Sequence, residues 1–128
     1  MIKIFNLTVG CLLFANTLSG QVKSKQTEVY DKIVRANLHH PDIVLRQAVH
    51  ESRNFKSPAA KNKNNIFGIM KGRRTRYFAS IDDCIVYYRE HIQSRYTEGN
   101  YYKFLTRIGY ASDPRYINKL KNTIVYIE

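Results

Sequence analysis

Residues 48–72 read AVHESRNFKSPAAKNKNNIFGIMKG, and a single acidic side chain, Glu51, stands in that stretch. It closes an apolar-periodic segment. A polar run without Asp or Glu follows, and then the compact apolar Ile66-Phe67-Gly68-Ile69-Met70. Ahead of Glu51, Ile43, Val44, Ala48 and Val49 recur at helical spacing. His40-Pro41-Asp42 supplies a start signal, with proline at the first helical position and an acid in the first turn. Glu51 is therefore expected in the last turn of a buried helix, where the negative end of the dipole disfavours a carboxylate. Crowding by Phe55 and Phe67 would raise its pKa further, the direction that suits a general acid near neutral pH. A solvated helix-end glutamate has the same spacing, so spacing alone leaves both readings open.

Three ordered blocks narrow the choice. They are Gln47-Ala48-Val49-His50-Glu51-Ser52, Asn64-Asn65-Ile66-Phe67-Gly68-Ile69 and Gly109-Tyr110-Ala111-Ser112-Asp113-Pro114-Arg115-Tyr116. Together they resemble the glucosaminidase family of peptidoglycan hydrolases, glycoside hydrolase family 73. There a helix ends in Glu-Ser or Glu-Thr, followed by Asn-Leu-Phe-Gly-Ile-Lys and Tyr-Ala-Thr-Asp-Pro-x-Tyr. The likeness covers roughly residues 28–126. It implies a small lysozyme-like α+β fold, mainly helical, with a short β-hairpin lobe beside a glycan cleft. It also implies that Glu51 is the catalytic acid, that Tyr110 positions the acetamido group or a water with Tyr116 in support, and that Asn65 and Phe67 lie along the cleft floor. For Tyr116, which opens an apolar helical stripe, core packing is the simpler reading of the residue itself.

The first twenty residues, MIKIFNLTVGCLLFANTLSG, have one charge, an interrupted apolar stretch and small residues before Gln21, the pattern of a secretory signal peptide. The expected organisation is a leader over 1–20, a polar tether over 21–27 and one catalytic domain over 28–128. At 128 residues and 15.0 kDa no second module fits. Once the leader is cleaved, no stable membrane span is expected, and Cys84 is the only cysteine left, at a core-facing position. Lys plus Arg number 21 against 10 Asp plus Glu, a net charge of +11 that favours polyanionic partners. A leader and the lack of any groove-reading motif argue against nucleic acid. His39 and His40 have no further ligand at metal-binding spacing, so neither a metal nor another cofactor is expected.

Helices are expected over 28–38, with Val29, Ile33, Val34 and Leu38 inward, over 81–96 after an N-cap at Ser80, and over 100–107 before a stop at Gly109. Residues 52–64 read as a loop, and 66–70 and 76–79 as strands around a turn. Asp113 reads as the N-cap of a last helix with Tyr116, Ile117, Leu120, Ile124 and Ile127 inward. Between Glu51 and Asp82 there is no second acid, and Asp82 and Asp83 read as first-turn acids. The function this supports is an endo-β-N-acetylglucosaminidase acting on peptidoglycan strands from the periplasm or outside the cell. Its substrate's own acetamido group, or a water activated by another polar residue, would replace the missing carboxylate, and a protein partner could complete the cleft. A lytic transglycosylase and a non-enzymatic wall-binding or assembly protein are the alternatives.

Overall fold

Ser24 opens the first helix by accepting a hydrogen bond from the Thr27 backbone N–H at 3.1 Å. The computed structural model describes residues 22–128, and the expected leader lies outside them. Helix α1, Lys25–Arg35, starts and ends about three residues earlier than its apolar stripe suggests, so part of the expected tether is helical. The Ser24 cap sets that start, and tertiary bonds hold the turn behind it. Thr27 is buried, and its hydroxyl accepts the Glu128 backbone N–H at 3.0 Å, while Gln26 accepts that of Tyr126 at 2.7 Å. Val29, Ile33 and Leu38 face inward, whereas Val34 is exposed.

Helix α2, Pro41–Glu51, has proline at its start as expected and packs against α1. Its buried face holds Ile43, Val44, Leu45, Ala48 and Val49, and each of the four larger side chains contributes roughly 1.5–3 kcal/mol on burial. Residues 52–64 are not all loop. Ser57 caps a short helix, α3 (Pro58–Lys63), by accepting from the Ala60 N–H at 3.1 Å, and Pro58 takes its first position. That helix buries only Ala60, so it carries no apolar stripe.

Two strands of two residues follow, β1 (Met70–Lys71) and β2 (Arg74–Thr75), paired antiparallel with Met70 opposite Thr75. They lie nearer the tip than the expected strands because Ile66 and Phe67 turn into the core. Helix α4, Ile81–His91, begins at the Ser80 cap, as the sequence indicates, but gives way to a 3-10 turn, Gln93–Arg95. Gln93 is drawn inside there, bonding both backbone groups of His39 at 2.7 Å. Helix α5, Tyr101–Arg107, is capped by Asn100 and stops before Gly109, whose φ is +65°.

The last helix, α6 (Tyr116–Lys121), has Arg115 rather than Asp113 as its N-cap, because the Asp113 carboxylate turns back to accept the Arg115 backbone N–H at 2.9 Å and caps no helical N–H. It is shorter than expected. The Arg46 guanidinium takes the freed carbonyls of Lys121, at 3.2 Å, and Thr123, so Ile124 and Ile127 are exposed rather than inward. The architecture is mainly helical with one small antiparallel sheet. Cys84 is fully buried. Among the described residues no helix is long and apolar enough to cross a membrane.

Candidate active site

Glu51 ends α2, and the chain behind it makes an unusual turn. Arg53, Asn54 and Phe55 all have positive φ, at 50°, 55° and 66°, a conformation costing roughly 1–2 kcal/mol per residue. Ser52 holds it. Its side chain, 1% exposed, donates to the Ala48 carbonyl at 2.6 Å and accepts the Phe55 N–H at 2.7 Å, and its own carbonyl accepts from Lys56 and Ser57. The serine after the acid therefore fixes where the helix stops, and with it where Glu51 points.

The carboxyl is half-buried in a cleft of about 370 Å3. Opposite it runs the Ile66-Phe67-Gly68-Ile69 segment, and Gly68 comes so close that a Cβ there would lie 3.3 Å from Glu51 Oε1. The φ of Gly68 is +65°, so both space and backbone call for glycine. Ile92, Arg95, Ile108, Tyr110 and Met70 complete the cleft. Glu51 is its only acid among the described residues, and Arg95 its only cation.

Burial pushes the Glu51 pKa above its usual value; a hydrogen bond from Tyr116 and the charge of His50 pull the other way. Tyr116 is buried, its ring meeting His50 edge-on at 5.6 Å and stacking on Tyr110 at 5.8 Å. Its hydroxyl accepts a bond from Gln47 Nε2 at 3.2 Å, which leaves its proton free toward the neighbouring Glu51, and burial and that nearby carboxylate raise its pKa far above 10. Tyr110 lines the cleft, but its hydroxyl turns inward, 3.5 Å from the Phe67 carbonyl, and burial puts its pKa well above 10. The structure thus brings Glu51, Tyr110 and Tyr116 together, with Tyr116 rather than Tyr110 touching the acid.

Asn65 is buried and its amide is fully engaged. Nδ2 donates to the carbonyls of Ile69 and Arg76, both at 2.8 Å, and Oδ1 accepts the Ile69 N–H at 3.0 Å. It braces the base of the hairpin and leaves nothing for a sugar. Phe67 stacks on Tyr88 at 4.5 Å, so its ring belongs to the core while its backbone borders the cleft. Asp82 pairs with Lys32 at 2.9 Å, and Asp113 with Lys119 at 2.7 Å; neither lines the cleft. No group of three or more possible metal ligands occurs among the described residues.

Gln47 and Gly68 stand inside two of the quoted blocks and Arg95 outside them, yet no local pattern marks the part each of the three plays. Gln47 precedes Glu51 by one helical turn, the one spacing that could have marked it as a neighbour of the acid.

A family model described as Mannosyl-glycoprotein endo-beta-N-acetylglucosaminidase matches residues 27–128, nearly the whole described chain. The chain belongs to the Glucosaminidase family. The glucosaminidase is a glycoside hydrolase, an endo-β-N-acetylglucosaminidase of peptidoglycan, and acts at the cell envelope or outside the cell. No curated protein and no solved structure matched the chain.

Proposed function

We propose that the glucosaminidase cleaves the β-1,4 bond after N-acetylglucosamine with Glu51 as its general acid, in a lysozyme-like cleft reached from the periplasm or the cell exterior. One observation carries this reading: among the described residues Glu51 is the sole acid of the cleft, and burial holds its carboxyl in the protonated direction. The protonated carboxyl gives its proton to the glycosidic oxygen as the bond to the anomeric carbon breaks. With no second carboxylate lining the cleft among the described residues, the carbonyl oxygen of the substrate's acetamido group closes on that carbon. The carboxylate left on Glu51 then takes a proton from the water that reopens the ring, restoring the acid.

Tyr110 and the backbone of the 66–69 segment would flank the acetamido group, and Asn65 would serve by bracing that segment. Arg95, with no ion-pair partner among the described residues, suits a stem-peptide carboxylate, since guanidinium binds carboxylate through two parallel bonds. The small hairpin leaves room for a protein partner to complete the cleft. The lone carboxylate also fits a lytic transglycosylase, in which a hydroxyl of the substrate replaces water.

Digestion of purified peptidoglycan with wild type and Glu51→Gln, followed by mass spectrometry of the new chain ends, separates these outcomes. Reducing N-acetylglucosamine ends from wild type alone support the proposal. Anhydro-muramic ends would make the enzyme a transglycosylase, and equal cleavage by both proteins would remove Glu51 from the mechanism.

A further inference from the structure

Behind Glu51 lies a run of buried polar side chains that the mechanism above does not use. Gln93 Oε1 accepts the His39 backbone N–H at 2.7 Å, and Gln93 Nε2 donates to the His39 carbonyl at 2.7 Å and to the Tyr101 hydroxyl at 3.0 Å. The Tyr101 and Tyr88 hydroxyls are 2.7 Å apart, Tyr88 donates to Gln47 Oε1, and Gln47 Nε2 donates to the Tyr116 hydroxyl at 3.2 Å. Every member is at most 6% exposed, so water does not complete their bonding.

The donors in this chain have one consistent direction. His39 presents a fixed N–H and a fixed C=O, so the Gln93 amide cannot turn over without facing donor to donor and acceptor to acceptor. Its Nε2 must therefore donate to Tyr101, whose own proton goes to Tyr88. Tyr88 in turn donates to Gln47 Oε1, which leaves Gln47 Nε2 facing Tyr116 as a donor. The reverse arrangement would strand the Tyr101 proton in the core with no acceptor, the costly case for a buried donor.

We infer that Gln93, Tyr101, Tyr88 and Gln47 form a polarised relay across the core that leaves the Tyr116 proton pointing at Glu51, making all four positioning residues for the general acid. Gln47 sits one turn before Glu51 on α2, which is why a bond to Tyr116 brings that hydroxyl to the carboxyl. The other groups facing Glu51 are His50 on its own helix, Tyr110 from the 108–112 turn, and Arg95 across the cleft. None of them belongs to the relay.

The test substitutes an atom remote from the cleft. In Gln93→Glu a buried, neutral carboxylic acid can donate to the His39 carbonyl and still accept from Tyr101. The whole chain can then reverse, and Tyr116 donates to Gln47 instead of Glu51. Tyr88→Phe, which frees the Gln47 amide to turn, is the second variant, and Tyr116→Phe sets the full effect. The readouts are 13C-carboxyl NMR titration of Glu51, assigned by its loss in Glu51→Gln, and the alkaline limb of kcat/KM on peptidoglycan.

Both readouts should move upward by about one pH unit in Tyr116→Phe, the size of one charge-assisted hydrogen bond, with Gln93→Glu close behind and Tyr88→Phe between it and wild type. Folded variants of Gln93 and Tyr88 that lower activity at every pH without moving either readout would reduce the relay to core packing. An unmoved Glu51 in Tyr116→Phe would overturn it outright. Should the remote variants not fold, the proposal can still fail on wild type, since absence of a deuterium isotope shift on the Glu51 carboxyl carbon that is lost in Tyr116→Phe would overturn it. The kinetic readout rests on the glycosidase reading, whereas the titration does not, so an inactive wild type with the expected titration would sink only the former.

Discussion

Glu51 stands between two walls built by opposite means. On the α2 side, packed aliphatic side chains and internally bonded polar groups surround the acid, and hardly any polar atom lacks a partner. The hairpin wall has two-residue strands with Met70 and Tyr77 exposed, and it depends on side chains reaching across from elsewhere. Asn65 joins Ile69 to Arg76, Asn64 donates to the Phe78 carbonyl at 3.0 Å, and Lys63 reaches both the carbonyl and hydroxyl of Thr75. A short ladder cannot hold a wall on its own. The difference teaches that the acid's environment is set by the core, whereas the shape of the cleft depends on a few amide and ammonium contacts.

The strongest way to break the comparison is at the point where the walls touch. In Gly68→Ala the added methyl presses on the carboxyl and the positive φ becomes strained, so kcat/KM should fall on the order of tenfold to a hundredfold. Assays of reducing ends would show it, with a melting temperature only modestly lowered. Asn65→Ala removes three bonds from the hairpin base and should cost about 2–4 kcal/mol in urea unfolding. A loss as small as that of an exposed asparagine would mean the ladder suffices. Arg95→Gln should raise KM several-fold on stem-bearing strands and leave stem-free glycan unaffected, with kcat unchanged on both. Equal effects on the two substrates would deny Arg95 a part in reading the stem.

The smallest expected effect concerns stability and pH. Burial raises the Glu51 pKa above its unfolded value, so the folded state holds the proton more tightly and loses stability as pH rises through that interval. Glu51→Gln should therefore melt above wild type at neutral pH, and the gap should close below pH about 4, where both states of the wild type are protonated. A gap that persists in acid would place its cause in packing rather than charge.

Much of the helical wall is legible in the sequence because its signals are local. The His40-Pro41-Asp42 start, the Ser80 cap and the Gly109 stop each act within one turn of the chain. Other features depend on groups distant in sequence. Helix α6 ends where Arg46 caps it, α4 yields to a 3-10 turn where Gln93 reaches His39, and the first turn of α1, opened by Ser24, is held by the tail on Gln26 and Thr27. The site divides in the same way. Glu51 is visible as a lone acid at a helix end, and motif resemblance points to Tyr110 and Tyr116. That Tyr116 looks like core by its stripe and also touches the acid follows from an inward-pointing hydroxyl, which no periodicity encodes. Asn65 reads as a cleft residue because its motif is contiguous with the cleft floor, yet its amide serves the hairpin.

Cys84 is the only free thiol among the described residues, and burial pushes its pKa to about 11, against the weaker opposing pull of the Ile66 and Phe67 backbone beneath the cleft. It therefore remains an unreactive thiol while that segment is seated on α4. Each excursion of the floor away from the helix exposes it. The rate at which a maleimide captures Cys84 becomes an internal clock for how often the cleft comes apart, and bound glycan should slow that clock.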